Sequence, residues 1–90
     1  MIEKGDWVVY ILRCIDDTLY TGITNDLQHR IEAHNSGTGA KYTRGRGPVR
    51  LIFAEKAIDK ADASRKEYQI KKLSRGEKLL MAKSFINHGF

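Results

Sequence analysis

Five side chains of this sequence are of the types that handle a phosphate ester: Tyr10, Tyr20, Arg30, His34 and Glu67. Phosphodiester hydrolysis needs a base for water, positive charge for the equatorial oxygens and often a metal. Tyr10 or Tyr20 is a candidate base, Arg30 a fork for phosphate oxygens, and Glu67 a carboxylate for a cation. A lone carboxylate completed by waters and phosphate oxygens suits Mg²⁺. A single cysteine and three scattered histidines offer no zinc-ligand spacing. A tyrosine base starts from a pKa of about 10, so groups that favour the phenolate must stand beside it. Arg30, His34 and a bound cation would be such groups. The ordinary alternatives are core tyrosines with hydrogen-bonded hydroxyls and a buried Arg30–Glu67 ion pair.

The local pattern can position these residues. Trp7 to Cys14 is a nearly continuous apolar run rich in β-branched and aromatic types, which predicts a strand buried on both faces. Cys14 reads as a packing residue within it. Asp16 and Asp17 mark a turn, and Leu19 to Thr24 a second strand. Gly22 inside that strand signals a close approach by a ligand or another backbone. Side chains alternate along strands, so a two-residue turn would leave Tyr10 and Tyr20 on opposite faces. A shared site therefore requires a turn of three or five residues, or a bulge.

Thr24-Asn25-Asp26 offers caps for a helix from about Leu27 to Asn35. Leu27, Arg30, Ile31 and His34 follow the i, i+3, i+4, i+7 pattern, which turns Arg30 and His34 toward the sheet. A loop over 36–48 contains four glycines, and Lys41, Arg44 and Arg46 in it suit a phosphate backbone. Tyr42 is a candidate base-stacking or anchoring residue. Arg50 to Lys56 predicts a third strand. Asp59 caps a helix to about Lys72, with Ala63, Glu67 and Ile70 on one face. Ser74 and Glu77 form a capping box for a third helix through about Ala82, with Leu79, Leu80 and Met81 as core. The final SFINHGF predicts a frayed tail or a short docking segment.

Ninety residues suit one domain, 1–90, with its core at about 7–82. The formal net charge is +5, and the excess is local. Lys41, Arg44, Arg46 and Arg50 fall in a stretch without acids, and residues 58–90 hold 8 bases against 4 acids. Such clustering is expected of a polyanion-binding surface. No apolar run reaches membrane-spanning length, and the N-terminus lacks a signal-peptide layout. The lone Cys14 cannot form an internal disulfide, which predicts a reducing, cytoplasmic setting.

At these residues the sequence resembles the GIY-YIG nuclease superfamily. Val8-Val9-Tyr10 stands where that family has GIY, and Tyr20-Thr21-Gly22 where it has YIG. The segment from Asn25 to Asn35 is similar to the family's N-L-x-x-R-x-x-x-H-N. Gly45-Arg46-Gly47-Pro48 before a strand, and Glu67 within a helix, also fit. The likeness covers about residues 7–80 and points to the small stand-alone bacterial members of the YhbQ type.

The resemblance implies a small α/β (α+β) fold, a three-stranded antiparallel sheet flanked by helices. It implies metal-dependent DNA cleavage with one Mg²⁺ or Mn²⁺. Carried over, Tyr10 is the general base, Tyr20 orients water or phosphate, and Arg30 stabilises the transition state. His34 tunes Tyr10 or the phosphate, Glu67 holds the metal, and Gly22 leaves room beside the site. Lys41 or Tyr42 occupies a further active-site position. Many members also carry an Asn downstream of the metal Glu, whereas here none occurs before Asn87. Without an attached recognition domain, the implied partner is branched or structured DNA, RNA being the other candidate, or a targeting protein. The competing expectations are a non-catalytic nucleic-acid-binding module with this fold, and a protein-interaction domain whose Arg30–Glu67 pair is structural.

Overall fold

A computed structural model of the chain describes residues 2–39, 43 and 45–87. Strands β1 (Val8–Arg13), β2 (Leu19–Thr24) and β3 (Arg50–Lys56) form one antiparallel sheet in the order β2-β1-β3. Helix α1 (Leu27–Asn35) lies between β2 and β3 in the chain, and α2 (Lys60–Lys71) and α3 (Arg75–Asn87) follow. This is the fold class that the sequence predicts. Among the described residues, no helix is long and apolar enough to cross a membrane.

The central strand carries the core. Val8 to Leu12 are fully buried, as expected of a strand covered on both faces. Val9 and Ile11 pack with Ile52, Phe53, Ile70 and Ala82, on the face covered by α2 and α3. Tyr10, Leu12 and Cys14 pack with Val49 and Ala54, with Leu27 and Ile31 of α1 against them. The alternation of a strand thus separates a wholly apolar layer, Phe53 included, from the layer that holds Tyr10.

The hairpin turn has the odd length that a shared tyrosine face requires. Cys14 N–H donates to the Thr18 carbonyl at 2.9 Å, which leaves Ile15, Asp16 and Asp17 as the turn. Asp17 adopts a left-handed backbone at φ 67°, the usual device for closing a three-residue hairpin loop. The Asp16 carboxylate accepts from the Thr18 N–H and hydroxyl, which hold its pKa below the ordinary value with help from Arg46. The resulting register pairs Leu12 with Tyr20 and Tyr10 with Gly22, so both tyrosines face α1.

The helix starts follow their caps. The Asp26 side chain accepts from His29 N–H, and Asp59 accepts from Asp62 N–H. Ser74 and Glu77 exchange side chain-to-backbone hydrogen bonds at 3.2 and 3.1 Å, a complete capping box.

Two expectations need correction. The third helix does not stop near Ala82 but runs to Asn87. Phe85 is the reason: its ring meets Phe53 at 5.8 Å between centroids, which docks the last turns on the sheet. Leu80 is not core but 68% exposed. Leu79 and Ala82, three residues apart, face the sheet, and the 3.6-residue period turns Leu80 away.

The docking of Phe85 has a measurable consequence. Phe85→Ala should cost about 2 kcal/mol, less than the roughly 3–5 kcal/mol of a fully buried Phe. For a chain of this size that lowers Tm by roughly 10 °C in a thermal melt. An unchanged Tm would mean that the end of α3 adds nothing to the fold.

Candidate active site

Gly22 opens the site. A Cβ added there would lie 2.7 Å from Tyr10 Oη and 2.9 Å from Tyr20 Cε2. The missing side chain is therefore the space that both phenol rings use, beside the Tyr10–Gly22 register pair. The rings of Tyr10 and Tyr20 are 6.3 Å apart between centroids, and His34 joins them at 6.0 Å from Tyr10 and 5.1 Å from Tyr20.

His34 comes from the last turn of α1 and is 1% exposed. Its Nε2 is 3.0 Å from Tyr10 Oη, and its Nδ1 is 2.8 Å from Thr43 Oγ1. Burial and the nearby Arg30 charge lower its pKa below the ordinary 6.5, so the imidazole is neutral near pH 7. A neutral ring has one donor and one acceptor. Burial also pushes the Tyr10 pKa up to about 12, against the pull of Arg30 beside it, so the phenol keeps its proton. In the tautomer that carries its proton on Nδ1, Tyr10 O–H donates to Nε2 and Nδ1–H donates to Thr43 Oγ1. The order Tyr10–His34–Thr43 forms a short, buried hydrogen-bond chain.

Arg30 lies one turn before His34 on α1 and is partly buried. Tyr10 foremost, with Tyr20, holds its pKa above the ordinary value. The expected Arg30–Glu67 ion pair is not formed among the described residues. The Glu67 carboxylate instead lies 3.3 Å from the Lys71 ammonium, one turn along α2. Its position between buried Ala63 and Ile70 keeps it at the margin of the packed face, and its charge is felt at Tyr10. Glu67 is partly exposed, so water reaches it.

The arrangement can hold a phosphate ester between a fixed guanidinium and a phenol whose proton has an acceptor. It can offer one carboxylate to a cation. Among the described residues no three His, Cys, Asp or Glu side chains gather into a cage. The donor set thus fits a hard ion that takes one carboxylate and fills its shell with water and substrate oxygens.

The chain is similar to known proteins over most of its length. The GIY-YIG catalytic domain matches residues 6–79. The chain belongs to the GIY-YIG family. It is 58% identical over 76 residues to a UPF0213 protein of Clostridium perfringens, covering 84% of this chain and 82% of that one. It is 47% identical to UPF0213 protein YazA of Bacillus subtilis over 79 residues, 88% of this chain and 80% of that one. The solution structure of a protein from E. faecalis superposes with a TM-score of 0.64 at 38% identity, covering 100% of this chain and 96% of that one. The solution structure of a UPF0213 protein from Bacillus halodurans gives 0.55 at 49% identity, over 87% and 83% of the two chains.

Within this GIY-YIG domain, Tyr10, Tyr20, Arg30, His34 and Gly22 converge, and Glu67 approaches from α2. Arg46 was expected at a nucleic acid; here its guanidinium meets the Asp16 carboxylate at 2.6 Å. Together with the hydrogen bond from Ile15 N–H to the Arg46 carbonyl, this braces the loop on the hairpin turn. Lys41, Tyr42 and Arg44 lie outside the described residues.

Three residues of the site were missed. Thr43 fixes the far nitrogen of His34. Gly39 presses its backbone on the imidazole: a Cβ there would be 2.6 Å from His34 Nδ1. Asn35 accepts the Val49 N–H at 2.6 Å, tying the end of α1 to the residue before β3. The signals in the sequence are Asn35, which closes the H-N motif, and the closely spaced glycine pair Gly37 and Gly39, which reads equally well as a connector.

Stability should depend on His34 with a definite sign. The unfolded chain takes up the imidazole proton at the ordinary value, and the folded one only at lower pH. Between the two values the unfolded state binds more protons, so stability is complete above about 6.5 and falls as pH drops below it. Denaturant titrations from pH 7.5 to 5 should show this decline, and His34→Gln should flatten it. Equal slopes in both proteins would contradict a buried neutral imidazole.

Proposed function

We propose that this chain is a metal-dependent endonuclease that hydrolyses DNA phosphodiester bonds at the Tyr10–His34–Arg30 site. The observation that carries this reading is the 3.0 Å contact between Tyr10 Oη and His34 Nε2, beside Arg30 and over the Gly22 gap. Membership of the GIY-YIG family supports it.

Tyr10 is a phenol at rest, so it acts by relay. As water attacks phosphorus, its proton passes to Tyr10 Oη while the phenol proton passes to His34 Nε2. Oxygen–phosphorus bond formation is then matched by cleavage of the bond to the leaving oxygen, which can take the proton back from the imidazolium. Thr43 keeps Nδ1 occupied, so Nε2 alone faces Tyr10. Arg30 offers paired N–H donors to the phosphate oxygens as negative charge grows there. Tyr20, ring to ring with His34, orients the water or phosphate. Glu67 would hold the cation, Mg²⁺ or Mn²⁺, which supplies further charge neutralisation when bound. Lys71 must release the Glu67 carboxylate for that. The basic loop bearing Lys41, Tyr42 and Arg44 follows the backbone of the DNA, and the reducing cytoplasm is the setting that free Cys14 suits.

Cleavage of duplex, single-stranded and branched DNA with Mg²⁺ or Mn²⁺ tests the proposal. Wild type should cut, and a chelator should stop it. Arg30→Gln should lower turnover by roughly 100- to 1,000-fold, the usual loss for one transition-state donor. Glu67→Gln should abolish metal-dependent cutting, while both variants keep the wild-type melting behaviour. Cutting that survives Glu67→Gln would place the activity elsewhere. No cutting of any form, with binding retained, would favour a nucleic-acid-binding module.

A further inference from the structure

The cations of this chain divide into two groups. Seven of the fourteen described Lys and Arg residues lie within 4.0 Å of a carboxylate. Lys60 and Lys72 lie over the rings of Trp7 and Tyr68, and Arg30 belongs to the site above. Four remain: Arg50, Arg75, Lys78 and Lys83. All four line two clefts on the side of the sheet that α3 covers.

The larger cleft, about 640 Å³, is rimmed by Arg13, Arg50 and Lys83 over a floor of Leu79, Ala82 and Ile52. The smaller, about 230 Å³, lies between Thr18 and Leu19 on one side and Arg75 and Lys78 on the other. They are neighbours, because Arg13 pairs with Leu19 across β1 and β2, and with Arg50 across β1 and β3. Residues 75, 78, 79, 82 and 83 form one face of α3. Among the described residues, no acidic residue lines either cleft.

We propose that this face of α3 and the sheet end below it form a second nucleic-acid track. It would hold the sugar-phosphate backbone of an arm other than the one being cut. Lys and Arg that lack carboxylate partners are the ones free to neutralise phosphates and release counterions. From residue 75 to 83 the helix advances about 12 Å, the axial rise of three to four base pairs of B-form duplex at about 3.4 Å each. The apolar floor accepts a sugar or base face. His34 and α1 lie on the opposite face of the sheet from this track. A substrate engaged at both places is therefore bent or branched. Nucleic-acid binding by this groove does not depend on the nuclease reading, on which only the presence of a second, cut arm rests.

Fluorescence anisotropy of a labelled forked duplex, across a salt series, tests this. The groove variant is Arg50→Gln, Lys78→Gln and Lys83→Gln. A charge-matched control removes three paired cations elsewhere, by Lys4→Gln, Lys56→Gln and Arg65→Gln. The groove variant should bind roughly tenfold more weakly at low salt and lose about 2–3 from the slope of log K against log salt, at about 0.9 per phosphate. The control should lose less than half as much. Cleavage at saturating DNA should stay within about twofold of wild type, with the change confined to KM. Equal losses in the two variants would overturn the track, leaving only a net-charge effect. Displacement of the DNA by polyglutamate at equal charge would also overturn it, in favour of an acidic protein partner. If wild type cuts nothing while the slopes still differ, the catalytic reading fails and the track stands.

Discussion

The pairing of Tyr10 with Gly22 is the constraint on which the rest of the site depends. It is set by an odd, three-residue turn, and one residue more or less would send Tyr20 to the other face of the sheet. With this register the two phenols share the space that a glycine vacates, and α1 can lower His34 onto them. The turn is in turn held from outside. Asp17 meets Arg13, and Asp16 meets Arg46 of the long loop. The same loop returns Thr43 to His34. Turn, loop and helix end are thus coupled around one imidazole, though they are distant in sequence.

That coupling explains what the sequence made legible. Strand positions and helix caps follow from local rules, since each depends on neighbours within a few residues, whereas the odd turn length follows only from requiring Tyr10 and Tyr20 on one face. Arg30 and His34 could be placed on one face because four residues make about one turn. Leu80 could not be placed, because Leu79, Leu80 and Met81 offer three apolar phases and only packing selects among them. The extension to Asn87 depends on Phe85 finding Phe53, a contact between residues 32 positions apart in the chain. Thr43 and Gly39 act where a loop folds back onto a helix, and no periodicity encodes that return. Glu67 could have paired with Arg30 or Lys71 by chemistry alone; the helical i,i+4 neighbour is the partner here.

Charge is distributed with a similar logic. Many of the exposed carboxylates serve caps, turns and ion pairs, and these hold Asp6, Asp16, Asp62 and Glu77 below the ordinary carboxylate range. Using acids in this way removes them from the two places that gather uncompensated positive charge, the vicinity of Arg30 and the α3 face. Surface ion pairs contribute little to stability, about 0–1 kcal/mol each, so their main effect here is on where free cations are left. The net charge of +5 is therefore less informative than its address.

Burial acts on Tyr10 and His34 in opposite directions. It raises the phenol to about 12 and lowers the imidazole below its ordinary value. Both shifts favour the uncharged forms, which share one hydrogen bond. Moving a proton between them at rest would create a phenolate and an imidazolium in a poorly solvated place, at a cost of several kcal/mol. The pair is therefore quiescent until something else changes the balance. A substrate phosphate beside the imidazole favours the protonated ring, and positive charge near Oη favours the phenolate. A water losing its proton to Tyr10 as the phenol loses its own avoids the charged pair at the phenol altogether. Burial, which argues against Tyr10 as a free base, would under the proposed function require a relay through His34 and confine proton transfer to the moment when a phosphodiester occupies the gap over Gly22.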